Sequence, residues 1–154
     1  MTLLSGSSSA EIDAPLPRCW AVVSDVTGSP RWQKGLERVD VVQSDADGRA
    51  VVVDIVADAK VTKVRARVRV DYEPPHRLTF TRVESDDVDE LEASWELEAL
   101  GDRRTRATYR LAVDPGPVGL LARPLERALR PLVVGQRARE LAQAVAGDGT
   151  APSV

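Results

Sequence analysis

Two stretches of the chain alternate apolar and polar residues with a period of two. From Lys60 to Tyr72, Val64, Ala66, Val68 and Val70 alternate with Lys63, Arg65, Arg67 and Arg69; from Asp89 to Leu100, Leu91, Ala93, Trp95 and Leu97 alternate with Glu92, Ser94, Glu96 and Glu98. That period places one set of side chains on each face of a strand, one face buried and the other solvated. The same reasoning predicts strands over Leu36–Ser44, the valine-rich Ala50–Ala57, Arg77–Glu84 and Arg104–Val113. Asp45–Gly48, Pro74-Pro75 and Gly101-Asp102 supply the turns between them. Ahead of this run, Ser7–Asp13 reads as a first strand stopped by Pro15. Pro17–Val26 and Gly28–Lys34 read as short helices, the second with Ser29 as N-cap and Pro30 at its first position. After the breaker Asp114-Pro115-Gly116-Pro117 the period changes. Leu121, Leu125, Leu129, Leu132, Leu141 and Val145 recur at near-helical spacing, so Gly119–Ala146 is expected to be one long amphipathic helix, bent or divided at Pro131 and stopped by Gly147.

The predicted order is therefore strand, two short helices, six strands and a long helix. A curved meander of six consecutive strands needs something to cover its concave face, and the long helix is the element available. The 154 residues suit one domain, with 43% hydrophobic and 29% charged residues typical of a globular chain. We expect the domain to span residues 7–146, with 1–6 and 147–154 as loose ends. The longest apolar runs are only a few residues, as at Val51–Val53, so no membrane-spanning segment is expected. With no basic, apolar leader recognisable at Met1–Ser9 either, a cytoplasmic location is expected.

Charge and composition narrow the chemistry. The formal net charge of −3 gives no global attraction to phosphate backbones. The arginine rows Arg65, Arg67, Arg69 and Arg104, Arg106, Arg110 are expected to meet carboxylates across strands, Glu92, Glu96 and Glu98 among them, so no nucleic-acid partner is expected. Cys19 is the single cysteine and His76 the single histidine, which disfavours an intrachain disulfide, a zinc site, a Cys-His nucleophile or a Ser-His-Asp triad. No metal and no cofactor is expected.

The segment Ile12–Trp32 (I-D-A-P-L-P-R-C-W-A-V-V-S-D-V-T-G-S-P-R-W) resembles the opening of the START-like (SRPBCC) superfamily, and Trp95–Leu111 is similar to its sixth-to-seventh strand hairpin. That superfamily includes plant pollen allergens, lipid-transfer domains and bacterial polyketide cyclases. The resemblance implies an α+β helix-grip fold: a curved seven-stranded antiparallel sheet wrapped around a long C-terminal helix, with two short helices between the first and second strands. It also implies an internal cavity, with the Trp32 region at its end, but not one activity, because carriers, regulators and enzymes share these motifs.

On this fold the apolar strand faces and the helix stripe would line the cavity. The candidate ligand contacts are Trp32, Val53, Ile55, Val68, Phe80, Trp95, Tyr109, Leu121 and Leu125, each of which is alternatively plain core. Tyr109 brings a hydroxyl into an apolar place, and a buried hydroxyl needs a partner. Arg82 shares strand parity with Leu78 and Phe80; pointing inward it would need a carboxylate or an anionic ligand, whereas at a frayed or bulged strand end it would be solvated. Three functions stay open: binding or transport of a small hydrophobic molecule such as a lipid, polyketide or isoprenoid; a polyketide cyclase or aromatase in which Arg82 and Tyr109 do the chemistry; and an interaction protein whose cavity is filled. Oligomeric state is not legible, although Arg123, Arg127, Arg130, Arg137 and Arg139 give the helix a charged outer face.

Overall fold

The computed structural model describes residues 4–58, 63–114 and 137–150. Seven antiparallel strands form one sheet: β1 (Leu4–Ile12), β2 (Leu36–Ser44), β3 (Ala50–Asp58), β4 (Lys63–Glu73), β5 (Arg77–Glu84), β6 (Glu90–Gly101) and β7 (Arg104–Asp114). Their spatial order is β1-β7-β6-β5-β4-β3-β2, a meander whose first strand closes against its last. Helix α1 (Leu16–Ser24) and a 3-10 helix (Val26–Arg31) separate β1 from β2, and helix α2 (Arg137–Thr150) follows the sheet. This is the expected helix-grip arrangement. Leu121, Leu125 and the predicted bend at Pro131 lie outside the described residues.

The alternation read from the sequence sets the sheet's two faces. In β4, Val64, Ala66, Val68 and Val70 are buried while Lys63, Arg65, Arg69 and Asp71 are exposed. Register carries the apolar face from strand to strand, Val53 opposite Val68, Val70 opposite Phe80, Leu78 opposite Trp95 and Trp95 opposite Tyr109. Cys19, Val22 and Val23 of α1 and Ala138, Leu141 and Val145 of α2 complete the main core. Two contacts tie α2 down: the Ala138 N–H donates to Ser8 Oγ of β1 at 3.1 Å, and Arg18 of α1 donates to the Val145 carbonyl at 3.3 Å.

The solvated face carries the ion pairs that its charge pattern predicts. Asp54 and Arg67 face each other across β3 and β4 with paired contacts of 2.8 and 3.1 Å. Arg106 meets Glu98 at 3.2 Å across the β6–β7 hairpin, and Arg110 lies 3.8 Å from Glu96. Arg104 turns instead to Glu11 of β1, the neighbour on its other side. At the β2–β3 turn, Asp45 accepts the Asp47 and Arg49 N–H groups at 3.0 and 2.9 Å, and Gly48 takes the positive φ of 84° that a side chain would resist.

Three expectations are corrected. Ser29 does not cap a second helix: the chain turns directly after α1 into a 3-10 helix, with Asp25 at its start and Ser29 inside it, buried. The Ser29 carbonyl accepts the Trp32 and Gln33 N–H groups at 3.1 and 2.9 Å. Helix α2 runs past Gly147 to Thr150, since glycine lowers helix propensity without imposing a stop. β1 begins at Leu4, because its pairing with β7 extends to Leu4 opposite Val113.

Candidate functional site

Between the concave sheet face and the 3-10 segment lies a partly open cavity of about 110 Å³. Alternate positions of five adjacent strands build its wall: Ile55 and Ala57 on β3, Val64 and Ala66 on β4, Phe80 on β5, Leu91, Ala93 and Trp95 on β6, and Tyr109, Leu111 and Val113 on β7. Val26, Ser29, Gln33, Leu36 and Val39 line it from the 3-10 segment and β2, and Arg137 from the first turn of α2. The cavity is smaller than the ~300–1,000 Å³ of drug-sized ligand sites. It is nevertheless well above the volume a single water needs, roughly 10–15 Å³ on the same kind of measure.

An aromatic group forms one side. The Trp95 and Tyr109 ring centroids are 4.8 Å apart, and the Trp32 and Trp95 centroids 5.8 Å. Both pairs are tilted, as aromatic quadrupoles favour. Trp95 is only 1% exposed, so the group is fixed by packing.

The polar corner sits where β7 meets α2. Burial pushes the pKa of the Tyr109 hydroxyl up, opposed by the charge of the Arg137 guanidinium and a hydrogen bond with it, while Glu140 adds to the rise. Tyr109 is therefore a protonated donor near neutral pH. Arg137 Nη1 donates to Glu140 Oε1 at 2.7 Å and to the Lys34 carbonyl at 2.8 Å. The other Glu140 oxygen accepts the Lys34 N–H at 3.1 Å. The pair thus clasps the backbone of the segment between the 3-10 helix and β2, just beyond Trp32 and Gln33. The Arg137 and Glu140 side chains are 11% and 18% exposed.

Residues 12–136 match the family described as polyketide cyclase / dehydrase and lipid transport. The chain belongs to that family. No curated protein matches it in sequence. Among solved structures, the Zhui aromatase/cyclase from a Streptomyces species is 16% identical with a TM-score of 0.78, covering 99% of this chain and 100% of its own. A protein from Thermus thermophilus is 23% identical with a TM-score of 0.77, covering 95% and 99% respectively. A START superfamily protein from Mycobacterium smegmatis is 20% identical with a TM-score of 0.65, covering 84% and 96%. At these identities the likeness shows a common fold.

For this member of the family, the candidate contacts separate into groups. Ile55, Phe80, Trp95 and Tyr109 line the cavity. Val53 and Val68 are fully buried in the core and are not among the described lining residues, and Trp32 packs on Trp95. Arg82 is half-buried at a β-bulge, where the pairing of β4 with β5 skips Val83. Its guanidinium donates to the Val88 and Ser85 carbonyls, both at 2.9 Å, so it holds the β5–β6 loop, and Arg82 is not among the described lining residues. Asp54 is paired with Arg67. His76 is exposed in the β4–β5 turn, its Nδ1 3.2 Å from the Leu97 carbonyl.

Arg137, assigned by sequence to the charged outer face of the helix, instead points into the cavity corner. Helical phase carried the missing signal: Arg137 stands one turn before Leu141 and two before Val145, both buried, so it continues their stripe. Ser29 and Gln33 were missed because a 3-10 turn offers no period to read. Among the described residues, no helix is long and apolar enough to cross a membrane, and no group of metal-ligating side chains is present.

Proposed function

We propose that this domain binds a small, largely apolar molecule in the cavity between sheet and helix, as a carrier or sensor in the cytoplasm. The observation that carries this reading is an apolar wall drawn from five adjacent strands that meets a polar corner, Tyr109 with Arg137. Apolar burial at about 25 cal/mol per Å² supplies the affinity, and the corner orients the ligand's oxygen. The modest volume favours a ligand smaller than a drug-sized molecule, or a wider cavity when one is bound. Native mass spectrometry of freshly purified protein is expected to show a co-purifying apolar mass. Small hydrophobic molecules are expected to quench the Trp95 and Trp32 fluorescence. A clean apo mass together with unquenched tryptophans would instead favour a packed cavity and an interaction role.

A second reading, a polyketide cyclase or aromatase, is favoured by the same corner. A protonated phenol beside a guanidinium could stabilise an enolate oxygen and deliver a proton in aldol condensation and dehydration. Turnover of an aromatic-polyketide precursor that is lost in Tyr109→Phe but retained in Arg82→Ala would support it.

A further inference from the structure

Among the described residues that line the cavity, Arg137 carries the only charge. That charge is balanced. Glu140 holds the guanidinium at 2.7 Å, and both side chains are largely withdrawn from water. The ammonium of Lys34 belongs to an exposed side chain, while its backbone is held in the clasp. Among the described residues, the corner therefore offers hydrogen-bond donors from Tyr109 and Arg137 but no uncompensated positive charge.

This balance decides which oxygen fits, given the ligand-binding reading above on which the point rests. A carboxylate brought to Arg137 would share one guanidinium with Glu140, placing two acids side by side against an apolar wall. Like charges so placed disfavour each other's ionised form, and the second loses its hydration without gaining a cation of its own. An alcohol or carbonyl oxygen accepts the same hydrogen bonds and adds no charge. We infer that the cavity selects ligands bearing an uncharged oxygen over carboxylic acids, and that Glu140 sets this selectivity by occupying Arg137. Glu140 is a positioning residue here, since it acts through Arg137.

Calorimetric titration with octanol and octanoate, matched in chain length, tests this near neutral pH. The wild-type protein is expected to bind octanol at least about tenfold more tightly, which corresponds to about 1.4 kcal/mol. Any apolar cavity disfavours a carboxylate to some degree, so the deciding comparison is Glu140→Gln. That variant keeps an acceptor for the Lys34 N–H but frees the guanidinium charge. It is expected to gain octanoate affinity by about tenfold with octanol affinity within about threefold of wild type. Glu140→Ser serves the same purpose should Glu140→Gln fail to fold. Equal binding of the two probes by wild type, or no gain for octanoate in the folded variant, overturns the selectivity while leaving ligand binding intact. Failure of wild type to bind either probe overturns the ligand-binding reading and the selectivity with it.

Discussion

Replacing Trp95 by leucine separates the cavity's contribution to stability from its contribution to binding. Trp95 is 1% exposed and contacts two aromatic partners, Tyr109 at 4.8 Å and Trp32 at 5.8 Å. Each such pair contributes about 0.5–1.5 kcal/mol beyond area burial. Leucine is smaller than tryptophan by about 60 Å³, and unfilled volume costs roughly 24 cal/mol per Å³, adding about 1.4 kcal/mol. These two terms alone come to about 2.5–4.5 kcal/mol, to which the lost burial of the removed atoms adds, a large share of the ~5–15 kcal/mol that holds a domain folded. Because Trp95 lines the cavity of about 110 Å³, the vacated space adds to an existing cavity and the walls gain little by collapsing. Urea denaturation should show a lower midpoint with an unchanged slope. In the same variant, affinity for a bulky apolar probe should rise as the cavity enlarges. A loss below about 1 kcal/mol would refute the packing argument, since the two ring contacts alone amount to at least that. A stability loss without any gain in probe affinity would show that the new volume is not continuous with the cavity.

Three further outcomes follow from named contacts. Arg82→Ala should lower stability by about 1–2 kcal/mol, because the Ser85 and Val88 carbonyls lose their donor; octanol affinity should not change, as calorimetry can check. Thr105 is fully buried and donates to the Ala14 carbonyl at 2.8 Å, so Thr105→Val, nearly equal in shape, should cost about 1–2 kcal/mol in urea denaturation by leaving that carbonyl only the weak Cys19 thiol donor at 4.0 Å. The hydrogen bond from Arg67 holds the Asp54 carboxyl below its usual range. The stability it adds is present above the unfolded pKa of about 3.9 and is lost as pH falls through the lower folded value. Since both partners are well exposed, this amounts to less than about 1 kcal/mol, and the difference between wild type and Asp54→Asn should vanish in acid denaturation curves at low pH.

Periodicity by itself determined β4 and β6 and their inward faces, and the apolar stripe of the described part of the C-terminal helix; valine content and turn residues marked the other strands. A half-buried strand must alternate and a half-buried helix must repeat near every fourth residue, so these features are written in the order of residues. The cross-strand ion pairs were legible only in part. The hairpin at Gly101 brings Arg106 to Glu98 as expected, but Arg104 pairs with Glu11 because β1 closes against β7, a long-range choice that local sequence does not encode. Arg82 and Arg137 show the same division more sharply. Strand parity left Arg82 either inward or released at a bulged strand end; the bulge is there, and the nearby loop gives its guanidinium two carbonyls. Composition placed Arg137 on the solvated side of the helix, yet tertiary packing set it between Tyr109, Glu140 and the Lys34 backbone. The sequence thus determined an apolar concavity, since burial depends on the average character of a face. Where the Tyr109–Arg137 corner lies was decided by the tertiary structure, because a guanidinium's direction depends on which acceptors the completed fold brings within reach.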